Sequence, residues 1–138
     1  MKYLAIDFGE KWTGIAVSDN SGSMAFARTT LRKTTRGAFW NAVLQILDEE
    51  RAEAVVIGIP RTRDGQDTMT IQRVRNFIAS FKRRCSLPVY VMEETLSSFE
   101  AGKRLRDTPK NQSGLDAAAA AAILESFLNL PEEKRTRA

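Results

Sequence analysis

Histidine is absent from this sequence. That removes the commonest general base, the Ser-His and Cys-His nucleophile pairs, and every histidine metal site. Cysteine occurs once, at Cys85, so an internal disulfide is excluded and a thiolate zinc site has too few ligands. Cys85 reads as a small apolar packing residue. Long hydrophobic runs are missing as well: no stretch approaches the ~20 apolar residues of a spanning helix. The first ten residues, MKYLAIDFGE, lack the small-residue pattern of a cleavage site. A soluble, intracellular protein without membrane contact is the expectation, and its chemistry must come from carboxylates, lysines, hydroxyls or a cation held by oxygen.

What is present fits one domain. The chain has 138 residues, 43% of them hydrophobic and 28% charged, enough for a single core. Its formal net charge is +4 and its pI about 9.5, a balance that favours a polyanionic partner. The positive residues are clustered: Arg32, Lys33 and Arg36; Arg61 and Arg63; Lys82, Arg83 and Arg84; Lys103, Arg104 and Arg106. Any one cluster could be a solvated helix end. Four on a small domain point to nucleic acid.

Residues 3–8 and 13–18 are short β-type runs joined by a tight turn, which predicts an antiparallel hairpin. Residues 24–31 offer a third strand. Phe39, Val43, Leu44, Ile46 and Leu47 recur at helical spacing within residues 37–50. The run AVVIGIP at 54–60 reads as a strand buried on both faces, as in parallel sheets. Residues 68–83 predict a second helix, 87–92 another buried strand, and 99–105 a short helix. Residues 115–130, with six successive alanines, predict a final helix. The expected architecture is α/β, with three layers and a mixed five-stranded sheet carrying helices on both faces. Residues 1–130 form the domain, and 131–138, PEEKRTRA, are expected as a charged, disordered tail.

Sites in open α/β sheets lie beyond the carboxyl ends of the strands. Asp7 closes the first strand, Glu94 follows the last, and Asp116 opens the alanine-rich helix, which lacks the bulk to stand off from the sheet. Each acid has an ordinary alternative: a turn-forming aspartate at Asp7, and helix-dipole acids at Glu94 and Asp116. Together they describe a carboxylate cluster, and clustered carboxylates need a cation to stay ionised. Oxygen ligands without histidine favour Mg²⁺ or Mn²⁺. Two such ions ~4 Å apart can grip both oxygens of an in-line phosphoryl displacement.

Four blocks, IDFGEKWTGIAVSD, VVIGIPRTRDG, VYVMEETLSS and LDAAAAAAILESFL, resemble in order and spacing the YqgF family, also called RuvX, bacterial proteins related to the Holliday-junction resolvase RuvC. The resemblance spans nearly the whole chain. It implies an RNase H-like fold, metal-dependent nuclease chemistry in the cytoplasm, and a role in maturing the 5′ end of precursor 16S rRNA; older naming points to branched DNA. Asp7, Glu94 and Asp116 match the family's acids and are thereby implied as catalytic residues and metal ligands. Lys11 and Gly14 match its lysine and glycine after the first strand, and Asp64 and Gly65 its turn. Lys11, Arg61 and Arg63 are the expected phosphate-holding residues.

The sequence departs from the family pattern in three places. Thr95 replaces an arginine after the glutamate, a lysine before the final aspartate is missing, and Trp12 stands where arginine is common. The lost guanidinium keeps a non-catalytic RNA-binding module as the alternative, recognisable by affinity that falls with salt and by the absence of turnover. Nucleotide hydrolysis by an actin-like pair of domains is disfavoured, because one domain cannot close a cleft. Oligomeric state is left between monomer and weak homodimer.

Overall fold

In a computed structural model of the protein, residues 1–61, 69–95 and 112–138 are described, without the side chains of positions 61, 94, 95 and 112–115. The elements are β1 (Tyr3–Asp7), β2 (Trp12–Ser18), β3 (Ala25–Arg32), α1 (Arg36–Glu50), β4 (Ala54–Arg61), α2 (Met69–Arg84), β5 (Val89–Thr95), α3 (Gln112–Leu128), a 3-10 turn at Glu132–Lys134, and β6 (Thr136–Arg137). The expected helix at 99–105 and the turn at Asp64 and Gly65 lie outside the described residues.

One mixed sheet orders the strands β3-β2-β1-β4-β5-β6. The opening hairpin is antiparallel, as its short turn requires, whereas β1, β4 and β5 run parallel. Alternation along β1 splits its side chains between two cores. Leu4 and Ile6 join Ile15, Val43, Ile57 and Phe81 beneath α1 and α2. Tyr3 and Ala5 join Ala16, Val56, Ala120 and Leu124 beneath α3. The sheet is therefore covered by helices on both faces, and the three-layer expectation holds.

Small residues face α3. Ala5 and Ala16 pair across β1 and β2, and the helix opposes them with its own alanines, so backbones approach closely. At the ends of the hairpin this closeness reaches a limit. A methyl group on Gly14 would overlap the carbonyl oxygen of Asp116 and stand 3.0 Å from the amide nitrogen of Ala117. Glycine is required there because helix backbone occupies the space of a side chain.

The sheet has six strands rather than five, because the last residues add an edge. Residues 131–138, expected as a disordered tail, instead form the 3-10 turn and β6, which pairs antiparallel with β5. Arginine stacking explains the difference. The Arg135 guanidinium lies 4.9 Å from the Phe127 ring centroid and donates to the Tyr3 hydroxyl (3.2 Å) and the Leu128 carbonyl (3.2 Å). Arg137 lies 5.4 Å from the Tyr90 centroid. Charge alone marks such a segment as solvated, but here the aromatic cluster of Tyr3, Tyr90 and Phe127 supplies faces for the cations. Arg135→Ala is expected to cost about 1–2 kcal/mol in urea unfolding, through lost stacking and hydrogen bonds; an unchanged midpoint would contradict this account of the tail.

Asp19 organises the turn between β2 and β3. Its carboxylate accepts from the amides of Ser23 (2.7 Å) and Met24 (3.0 Å) and from the hydroxyls of Ser21 (2.7 Å) and Ser23 (2.8 Å). The Met24 amide, with these other donors, holds its pKa well below the ordinary 3.8. A carboxylate depressed in the folded state contributes stability above its ordinary pKa, and that contribution is lost as pH falls below it. Asp19→Ala should therefore lower Tm at pH 7, and the gap to the parent should narrow below about pH 4. Melting curves across that range test it; a gap constant with pH would refute it.

Candidate active site at the strand tips

The register places three parallel strand ends on one edge of the sheet. Ile6 pairs with Ile57, and Ile57 with Val91. Asp7, one residue further, stands level with Gly58 and Met92 and shares the face of Ala5, beneath α3. It is paired across the hairpin with Gly14. Gly14 is also where the backbone of Asp116 rests. One glycine thus holds both acids, Asp7 as its strand partner and Asp116 as its helix contact.

Both are buried, Asp7 at 1% exposure and Asp116 at 0%. An ionised carboxylate taken out of water is costly unless charge or hydrogen bonds compensate it, and here two of them meet at one glycine. The helix is pinned at this point by a polar contact as well: the Ala117 amide donates to Thr30 Oγ1 of β3 at 3.1 Å. Thr30 escaped the sequence reading, because a threonine on an edge strand carries no local signal of what it will meet.

Glu94 lies on β5, its backbone paired with Pro60, two positions beyond Met92. It therefore sits roughly 7 Å further along the strand direction than Asp7. Its side chain lies outside the described residues, as does that of Arg61, whose backbone ends β4 opposite Thr95. Arg63 is wholly outside them. Lys11 is exposed in the turn between β1 and β2, and its carbonyl accepts from the Lys33 amide at 2.8 Å. Trp12 is half-buried at the start of β2, with the Arg32 guanidinium 5.7 Å from its ring centroid.

Among the described residues, Asp7 and Asp116 are brought together, and no group of three acidic, cysteine or histidine side chains forms. The donors the pair offers are all carboxylate oxygens. That set suits a hard divalent cation and would be poor for a thiophilic one. No helix among the described residues is long and apolar enough to cross a membrane.

Over residues 1–130 the chain matches the family model RuvX, described as Holliday junction resolvase. A protein of Nitratidesulfovibrio vulgaris (strain Miyazaki F) named "Putative pre-16S rRNA nuclease" is 54% identical over 142 residues, covering 100% of both chains. One of the same name from Oleidesulfovibrio alaskensis is 50% identical, covering 98% of this chain and 96% of its own. Among solved structures, T. thermophilus RuvC in complex with a Holliday junction substrate matches with a TM-score of 0.60 at 18% identity, over 100% of both chains. A second Thermus thermophilus RuvC structure gives a TM-score of 0.56 at 17% identity. Identities this low speak to the fold alone, and that fold is the RNase H-like α/β architecture.

Proposed function

The chain belongs to the RuvX family, and from that premise we propose that it is a divalent-metal-dependent nuclease hydrolysing phosphodiester bonds of structured nucleic acid. Its favoured substrate is the 5′ region of precursor 16S rRNA, in keeping with the names of its relatives. Branched DNA is the second reading, favoured by the description of the family model. Residues 1–130 constitute the nuclease domain. The observation that carries the reading is the pair of buried carboxylates, Asp7 and Asp116, held on one glycine at the strand tips.

In this reading Asp7 and Asp116 are catalytic residues and metal ligands, with Glu94 from the neighbouring parallel strand completing the set. Asp7 is held by its pairing with Gly14, one residue past the Ile6–Ile57 pair on the other side, and Asp116 is fixed by the Ala117–Thr30 hydrogen bond. Such preorganisation keeps the oxygen donors in place before substrate arrives. A pair of Mg²⁺ or Mn²⁺ ions, when bound there, would polarise the scissile phosphate and lower the pKa of an attacking water. Lys11, exposed beside the tip, holds the adjoining phosphates together with Arg61 and Arg63, and the net positive charge draws the polyanion in.

The test is cleavage of a 5′-extended 16S rRNA fragment and of a four-way DNA junction, with Mg²⁺ or Mn²⁺ and with chelator. RNA product that forms only with the divalent ion is expected. Cleavage that survives chelation, or no cleavage of either substrate, would overturn the assignment. Binding that weakens with salt but never yields product would identify a binding module instead.

A further inference from the structure

A cavity of about 350 Å³ opens between α1 and α2, on the face of the sheet opposite the acid pair. Its floor begins at Phe8, the residue after Asp7, where strand alternation turns the side chain away from α3. The Phe8 ring stacks on Phe77 with centroids 4.3 Å apart and planes 8° from parallel, and Trp40 stacks on Phe77 at 5.4 Å and 18°. Phe77 and Trp40 are buried, whereas Phe8 keeps part of its surface exposed.

The rim is cationic. Lys33 stands with its ammonium 5.8 Å from the Phe8 centroid, Arg36 opens α1, and Arg73 projects from α2. Among the described residues the rim carries one carboxylate, Glu10, which pairs with Arg73 at 3.3 Å. Among the described residues Lys33 and Arg36 have no ion-pair partner. Asn76 and Ser80 add an amide and a hydroxyl to the wall. Phe77 and Trp40 belong to the buried core, so the aromatic surface the cavity offers is the half-exposed Phe8, beside the two cations. A nucleotide uses both, its base against an aromatic surface and its phosphate against ammonium and guanidinium.

We propose that this cavity seats one unpaired nucleotide of the substrate strand, next to the scissile position. Position favours a polymer over a free nucleotide: Asp7 and Phe8 are consecutive, their Cα atoms ~3.8 Å apart, so a strand crossing the tip passes from the acids to the cavity. The inference rests on the nuclease reading for the identity of that polymer. It gives Lys33 and Arg36 a binding role that the acids do not share.

The experiment measures affinity of the full chain in chelator, where no turnover occurs, for a blunt RNA duplex and for the same duplex with a short single-stranded extension. The extension is expected to tighten binding about tenfold. Lys33→Gln/Arg36→Gln should lose most of that gain, whereas Lys82→Gln/Arg83→Gln, an equal loss of charge at exposed positions outside the cavity, should keep it. An abasic extension of equal charge should recover only part of it. A wild-type protein indifferent to the extension, or a double variant that keeps the full gain, overturns the proposal. So does AMP binding the duplex-bound protein as tightly as the free one, which would make the cavity a free-nucleotide site. A protein that favours the extension yet never cuts defeats the nuclease reading alone, and one that cuts but ignores the extension defeats the cavity alone.

Discussion

Asp7→Asn is expected to reduce cleavage by about 10³-fold or more, the scale seen when a group central to the chemistry is removed. The substitution keeps the shape of the side chain and removes its charge. Its effect on folding distinguishes a working acid from a structural one. If Asp7 merely terminated a turn, asparagine would serve nearly as well and activity would persist. Because Asp7 is buried beside a second buried carboxylate, removing one negative charge should leave Tm unchanged or raise it. Loss of activity with retained or increased stability is thus the expected signature. A further readout needs no substrate: Mn²⁺ should raise the Tm of the parent by binding the folded state, and should do so far less for Asp7→Asn. A variant that cuts normally, or a parent indifferent to Mn²⁺, would remove Asp7 from the site.

Gly14→Ala carries the second large effect. The added methyl meets main-chain atoms of Asp116 and Ala117, which cannot rotate aside as a side chain can. Helix α3 must lift or the hairpin must bend, at a cost of about 3 kcal/mol, the upper part of the range for overpacking. The lift moves Asp116 relative to Asp7, and a displacement of ~1 Å near a reacting centre can cost about 10²-fold in rate. Gly58→Ala supplies the contrast. There a methyl would meet the Cδ1 of Ile123 at 2.6 Å, the far end of a flexible chain that can change rotamer. Its cost should stay near 1 kcal/mol, with cleavage largely kept. Equal effects from the two glycines, in unfolding and in rate, would mean that the Gly14 contact does not position the acid.

The order of elements could be read from local pattern. Period-two runs, β-branched stretches and the alanine block each state their own geometry, because residues within one turn or one pleat decide it. The acid at the tip of β1 was legible for the same reason, being the residue that ends an apolar strand. The family resemblance implies one chemistry for Asp7, Glu94 and Asp116, and the Glu94 side chain lies outside the described residues.

What the linear order could not contain was mutual approach. That Gly14 is the seat of the last helix depends on residues about a hundred positions away. The same holds for the cavity, where Lys33 from one connection, Phe8 from another and Arg73 from α2 meet only after the sheet and both helices have packed. The final segment makes the point most sharply: its charges predict solvation, yet Arg135 and Arg137 find the rings of Phe127, Tyr3 and Tyr90 and form a sixth strand. Composition determined which residues could ionise, stack or turn; only packing decided which of them share a site, since burial and distance belong to the folded chain and not to its order.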